Sequence, residues 1–153
     1  MTEISAGLVA KDMKIAVVAS RFNSFLTDQL VKGAIDAFVR HGGKDADIVI
    51  VKAPGAYELP LAAKKLAKSG KFDAVVALGV VVQGATPHAS LINETTARAF
   101  SEISMAEMVP VIDGVVSAES LEQAVERCGT KQGNKGFSAM QAAIEMADLM
   151  RKM

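Results

Sequence analysis

Ala74-Val75-Val76-Ala77-Leu78-Gly79-Val80-Val81-Val82, running straight into Gln83-Gly84-Ala85-Thr86-Pro87-His88, is the stretch around which the chain is organised. Its first half is dense in β-branched residues and does not alternate with polar ones, the pattern of a strand buried on both faces of a parallel sheet. Its second half reads as a helix start, with Thr86 as N-cap and Pro87 at the first helical position, where a missing N–H costs nothing. Gly84 and Ala85 put almost no side chain in the turn, so backbone N–H groups can converge on an oxyanion beside the positive end of the helix. The loop therefore reads as a phosphate cradle with His88 at its rim. An ordinary strand-to-helix turn with a surface histidine accounts for the same residues, so the rest of the chain has to decide.

Working outward, the same alternation recurs. Residues 14–20 form a buried strand that runs into Arg21-Phe22-Asn23-Ser24, where Asn23 or Ser24 can cap a helix reaching about His41 and stopped by Gly42-Gly43. A second strand covers 48–51, a loop with Pro54 and Pro60 leads into a helix ending at Gly70, and the third strand covers 72–82. After Pro87 a helix reaches about Ala106, with Glu94, Arg98 and Glu102 along a solvated face. A fourth strand covers 109–116, Ser117 caps a helix ending at Arg127-Cys128, and Gly129 takes the C′ position. A loop over 129–136 opens the last helix, whose Ala142, Met146, Leu149 and Met150 form the expected core stripe. Residues 4–9 form a short extended arm. The expectation is an α/β domain spanning 1–153, with residues 1–10 as arm. Its architecture is a three-layer α/β/α sandwich around a four-stranded parallel sheet with right-handed crossovers, flavodoxin-like in kind.

Composition narrows the function. At 153 residues the chain suits one core. Its 17 basic and 17 acidic residues leave no net field for nucleic acid or an anionic membrane, so any phosphate must be held locally. No apolar run approaches a membrane span, Cys128 has no second cysteine to pair with, and the first twenty residues lack a secretory pattern, which points to the cytoplasm. A hydrophobic content of 50% is high for a small monomer and hints at apolar surface buried between copies.

Ligands of such sheets sit outside the carboxyl ends of the strands. The segments expected there are 21–23, 54–58, 80–88 and Asp113-Gly114. Phe22 is placed to stack on a planar ring, or else to staple onto its helix; Tyr57 and Glu58 offer a hydroxyl and a carboxylate for a polyol, or else decorate a loop. No G-x-G-x-x-G occurs, and 129–136 lacks the Walker spacing, which argues against a nucleotide hydrolase.

Four segments together, Ala19-Ser20-Arg21-Phe22-Asn23, Pro54-Gly55-Ala56-Tyr57-Glu58-Leu59-Pro60, Gly84-Ala85-Thr86-Pro87-His88, and Glu126-Arg127-Cys128-Gly129-Thr130-Lys131 with Gly133-Asn134-Lys135-Gly136, resemble the signatures of lumazine synthases in family order. The resemblance implies condensation of 5-amino-6-(D-ribitylamino)uracil with 3,4-dihydroxy-2-butanone 4-phosphate, without metal or organic cofactor. It also implies pentamers with sites shared between neighbours and, in many members, an icosahedral shell of twelve pentamers. Carried over, Phe22 stacks on the pyrimidine, Asn23 is a substrate-binding residue, and Ala56, Tyr57, Glu58, Val80, Val81 and Val82 hold ring edge and ribityl chain. Gly84, Ala85 and Thr86 cradle the phosphate, which Arg127 anchors from the adjacent subunit. His88 transfers protons, Lys135 is a supporting cation, and Asp113 faces the ring. The chain departs from the family pattern at Gln83 (usually Arg), Ala89-Ser90-Leu91 (Phe-Asp/Glu-Tyr), Asp113 (Phe) and Ser138 (acidic). Two other readings stay open at this point, a self-assembling scaffold or shell with an altered site and a flavin- or pteridine-binding module.

Overall fold

The computed structural model describes residues 1–130 and 133–153; Lys131, quoted above, and Gln132 lie outside the described residues. In chain order the elements are β1 (Ile15–Ser20), α1 (Ser24–Arg40), β2 (Ile48–Ala53), α2 (Leu59–Lys68), β3 (Ala74–Val82), α3 (His88–Glu107), β4 (Val111–Ala118), α4 (Leu121–Arg127), β5 (Cys128–Thr130), β6 (Gly133–Asn134) and α5 (Lys135–Lys152). The first four strands form one parallel sheet in the order β2-β1-β3-β4. β1 is buried at every position and β3 at all but its last, because helices cover both faces of these central strands. One face packs Leu30 and Phe38 of α1 with Met140 and Ile144 of α5; the other packs Leu59 of α2 with Phe100 and Ile103 of α3. This is the three-layer α/β/α arrangement read from the sequence, in a doubly wound strand order that reverses direction between β1 and β3.

Several local expectations are corrected. α5 does not present Ala142, Met146, Leu149 and Met150 to the core; its buried face is Gly136, Ala139, Met140, Ala143, Ile144 and Ala147, and Met146 is exposed. The small residues let α5 lie close on α1. A Cβ on Gly136 would fall on the carbonyl group of Leu30, 2.7 Å from its carbon and 2.9 Å from its Cα. At the same crossing Asn134 caps α5 by accepting from the Phe137 N–H and donates to the Gln29 carbonyl at 2.9 Å, lying against Gly33. β4 runs two residues past its expected end, so Ser117 belongs to the strand and Ser120 caps α4, accepting from the Gln123 N–H at 3.2 Å. The 129–136 loop contains the short β5/β6 hairpin instead, and Gly129 at C′ has φ +116. Glu94, Arg98 and Glu102 are exposed, and they form no ion pair with one another.

Residues 1–10 carry no regular secondary structure, with Ile4, Leu8 and Val9 exposed. The segment is laced to its own chain. The Gly7 N–H donates to Asp148 at 2.8 Å, the Lys152 ammonium donates to the Ser5 carbonyl at 3.0 Å, and the Ala10 N–H donates to the His41 carbonyl at 2.8 Å. The Asp148 carboxyl is held below its ordinary value of 3.8, chiefly by the Gly7 N–H and then by Lys152.

Candidate active site

The strand order itself opens the site. The β1–β3 ladder ends at Ala19 opposite Leu78, while β3 continues against β4 as far as Val82 opposite Ala118. Into that gap at the carboxyl ends opens a cavity of about 450 Å³. The β1 exit contributes Phe22 and Asn23, the turn after β2 contributes Gly55, Ala56, Tyr57 and Glu58, and β3 contributes Val80, Val81 and Val82. The loop to α3 adds Gly84 and Thr86, and the start of α3 adds His88, Ala89 and Ile92. Phe22 is 71% exposed and Tyr57 64%, so neither ring is consumed by the core. Ala85 lies in the same loop but is not among the lining residues.

Local sequence explains the positions. The turn after β1 is pinned by the Arg21 N–H on the Ala53 carbonyl (2.8 Å) and the Phe22 N–H on the Pro54 carbonyl (3.1 Å). Asn23 occupies the N-cap of α1 without a capping bond from its side chain, in the left-handed conformation (φ 59, ψ 40). Thr86 does not cap α3 as expected. Pro87 holds that position, and the helix starts at His88, with the Leu91 N–H reaching the Pro87 carbonyl at 3.2 Å. Among the described residues the N–H groups of Gly84, Ala85 and Thr86 have no backbone acceptor, which leaves three donors beside a helix N-terminus free for an anion.

Arg127 and Lys135 are not in this cavity. They line a second pocket of about 360 Å³ at the β4 edge, with Val115, Val116, Ser117 and Ser138. One Arg127 nitrogen donates to the Ser117 carbonyl, and among the described residues neither cation is ion-paired. Asp113 is not at a strand exit either. It sits inside β4 opposite Ala77, exposed, with its Oδ1 accepting from the Val115 N–H at 3.0 Å, so it is not paired with Lys135. Gln83 is exposed and its N–H ends the β3–β4 pairing on the Ala118 carbonyl. Ala89 and Ile92 were not read as lining. For Ile92 the signal is its position one turn after His88, a spacing that keeps side chains on one face of the helix; Ala89 is signalled only by its place next to His88 in the first turn. Cys128 is buried, which pushes its thiol up to about 11 and leaves it unreactive at neutral pH. Among the described residues there is no group of three or more potential metal ligands, and no helix is long and apolar enough to cross a membrane.

Fold and site together define a doubly wound α/β protein whose main cavity opens at the switch point between β1 and β3, with an exposed aromatic ring and N–H groups lacking a backbone acceptor at its border. The chain belongs to the family described as 6,7-dimethyl-8-ribityllumazine synthase, whose family model it matches over residues 12–151. It is 49% identical over 150 residues to the 6,7-dimethyl-8-ribityllumazine synthase of Chlorobium limicola, covering 98% of this chain and 97% of that one. Against the same enzyme of Chlorobium chlorochromatii it is 49% identical over 151 residues (99% and 97% covered), and against that of Pelodictyon phaeoclathratiforme 46% over 151 residues (99% and 97%).

Proposed function

We propose that the whole chain, 1–153, works as one domain that condenses 5-amino-6-(D-ribitylamino)uracil with 3,4-dihydroxy-2-butanone 4-phosphate to 6,7-dimethyl-8-ribityllumazine, the product for which its relatives are named. The observation that carries this reading is one cavity lined by the exposed ring of Phe22, by His88, and by Gly84 and Thr86, whose N–H groups have no backbone acceptor. Phe22 stacks on the pyrimidine. Ala56, Tyr57, Glu58 and Val80 to Val82 hold its edge and the polyol chain, and Asn23 borders the ring. Gly84, Ala85 and Thr86 receive the phosphate. The ring amine adds to the ketone and water leaves as the imine forms; phosphate departs by elimination, and the second nitrogen closes on the resulting carbonyl with loss of a second water. Each step is a polar addition or elimination, so no metal or organic cofactor is called for. Most of the barrier falls to holding two reactants in register. His88 moves the proton, a contribution of about 10²–10⁴-fold.

Among the described residues no lysine or arginine lines the cavity, and the separate basic pocket supplies the argument for assembly. A second copy brings Arg127 and Lys135 to the phosphate and presents Asp113 at the boundary. The expected assembly is a homopentamer, closing into an icosahedral shell where pentamer contacts allow, in the cytoplasm. The open edge of β2, with Val49 and Ile50 exposed, is the place for the arm of a neighbour, whose Ile4, Leu8 and Val9 are exposed.

The test incubates the purified chain with both substrates, follows product absorbance and records native mass. Product formed by a pentamer or a multiple of it supports the proposal. A full assembly that makes no product favours the scaffold reading, and a yellow ligand retained through purification favours the flavin-binding one.

A further inference from the structure

We propose that Asn23 is a positioning residue, whose carboxamide replaces the strand partner that β3 loses when β1 ends and so fixes the ring-stacking Phe22 against the Val80 to Val82 wall. The proposal rests on the condensation reading above and adds to it how the ring site is held.

β1 has its last partner on β3 at Leu78, two residues short of Val80. Val80 is 3% exposed, so its carbonyl, on the side vacated by β1, would be buried without a donor. Such a group is seldom left unpaired in a native fold. The Asn23 Nδ2 supplies the donor at 3.0 Å. An asparagine at an N-cap ordinarily turns its side-chain oxygen back onto the helix N–H groups. Here no such bond exists, and the Asn23 backbone carbonyl serves the Leu26 and Thr27 N–H groups instead, at 2.9 and 3.0 Å. The side chain is thus diverted from its usual local role to a contact 57 residues away. The left-handed backbone belongs to the same device, since Asn is among the few side chains that adopt it readily.

Backbone bonds already tie this turn to the end of β2, through Arg21 on Ala53 and Phe22 on Pro54. Thr27 Oγ1 ties it to Ser20 at 2.9 Å. The hydrogen-bonded tie to the end of β3 is the Asn23 carboxamide. Phe22 is too exposed for packing to place its ring, so the ring goes where the turn goes. Loosening Asn23 lets the two walls of the cavity shift relative to each other while each wall stays folded.

The variants are Asn23→Asp and Asn23→Gly, both compatible with the left-handed backbone. The first sets a carboxylate oxygen against the Val80 carbonyl and the second removes the donor. Expected for both is a rise of about tenfold in KM for the aminouracil, equivalent to about 1.4 kcal/mol, with KM for the butanone phosphate and kcat changed far less. Calorimetric affinity for a uracil lacking the ribityl chain should fall by the same factor. An unchanged aminouracil KM overturns the proposal. So does a loss confined to ligands bearing the ribityl chain, which would make Asn23 a direct chain contact, and so does a uniform loss across both substrates in step with a lower Tm. If the parent chain makes no product, the condensation reading fails by itself, and the uracil affinities of parent and variants still decide the role of Asn23.

Discussion

Replacing Gly136 by alanine sets two effects of known size against each other. An alanine in a helix is favoured over glycine by roughly 0.5–1 kcal/mol. Against it stands the crossing of α5 on α1, where the new Cβ would lie 2.7 Å from the Leu30 carbonyl carbon and 2.9 Å from its Cα. Those neighbours are backbone, so no rotamer change relieves them, and the helices must part by roughly 1 Å to regain ordinary contact. Overpacking of this kind costs about 1–3 kcal/mol. The same parting stretches the Asn134 bond to Gln29, now 2.9 Å, at about 1 kcal/mol more. The overpacking wins. Net destabilisation should be about 1–3 kcal/mol, which lowers Tm by about 2–12 °C for a chain of this size. The assay is thermal unfolding of parent and variant at matched protein concentration. Lys135 is the adjacent residue, so KM for the butanone phosphate should rise with the same substitution. A variant with the parent's Tm, or a higher one, would mean that α5 does not lie on α1 as described.

Phe22→Ala should leave Tm unchanged, because the ring is 71% exposed, while KM for the aminouracil rises by the ~1–3 kcal/mol of a lost ring stack, read from steady-state kinetics. Arg127→Ala should weaken the butanone phosphate by about 1.5–3 kcal/mol and the aminouracil hardly at all; equal effects on both would assign Arg127 a structural role at the end of α4. The depressed Asp148 carboxyl makes arm docking pH-dependent in one direction: the stabilisation is full above its ordinary value of 3.8 and is lost as pH falls through the depressed one. Protection of the Gly7 amide from hydrogen exchange should follow that course, and Asp148→Ala should lack it at every pH. Deleting residues 1–10 should lower native mass at a given concentration, and a truncated chain of unchanged mass would remove the arm from the assembly.

What the sequence revealed and what it hid follow from which physical signal each residue carries. The unbroken apolar runs of β1 and β3 announce burial on both faces, and the order of a doubly wound sheet then fixes which loops can meet; Phe22, Tyr57 and His88 could be grouped on that basis. The face of α5 was misread because Gly136, Ala139, Ala143 and Ala147 are small, and hydrophobicity alone favours the larger Met146, Leu149 and Met150. Close approach of two helices is a matter of missing volume, which composition does not weigh. Ser117 and Ser120 are equally good caps on paper, and only the continued pairing of β4 with β3 through Ala118 chooses between them. Asp113 is placed at a strand exit by the resemblance, which puts an aromatic there, although the strand expected over 109–116 already holds it inside. Asn23 looked like an ordinary cap, since the bond it makes instead depends on where β1 stops relative to β3.

The distance between the cavity and the basic pocket has a consequence for mixtures of chains. Under the proposed assembly a complete site takes His88 from one chain and Arg127 from its neighbour, so each site belongs to a boundary and not to a subunit. A chain with His88→Ala and a chain with Arg127→Ala would each build rings in which every boundary is defective. Unfolded together and reassembled in equal amounts, they would place a sound cavity beside a sound basic pocket at roughly a quarter of the boundaries, by random occupancy of a cyclic ring. Two impaired preparations would thus yield a more active one without any residue being restored.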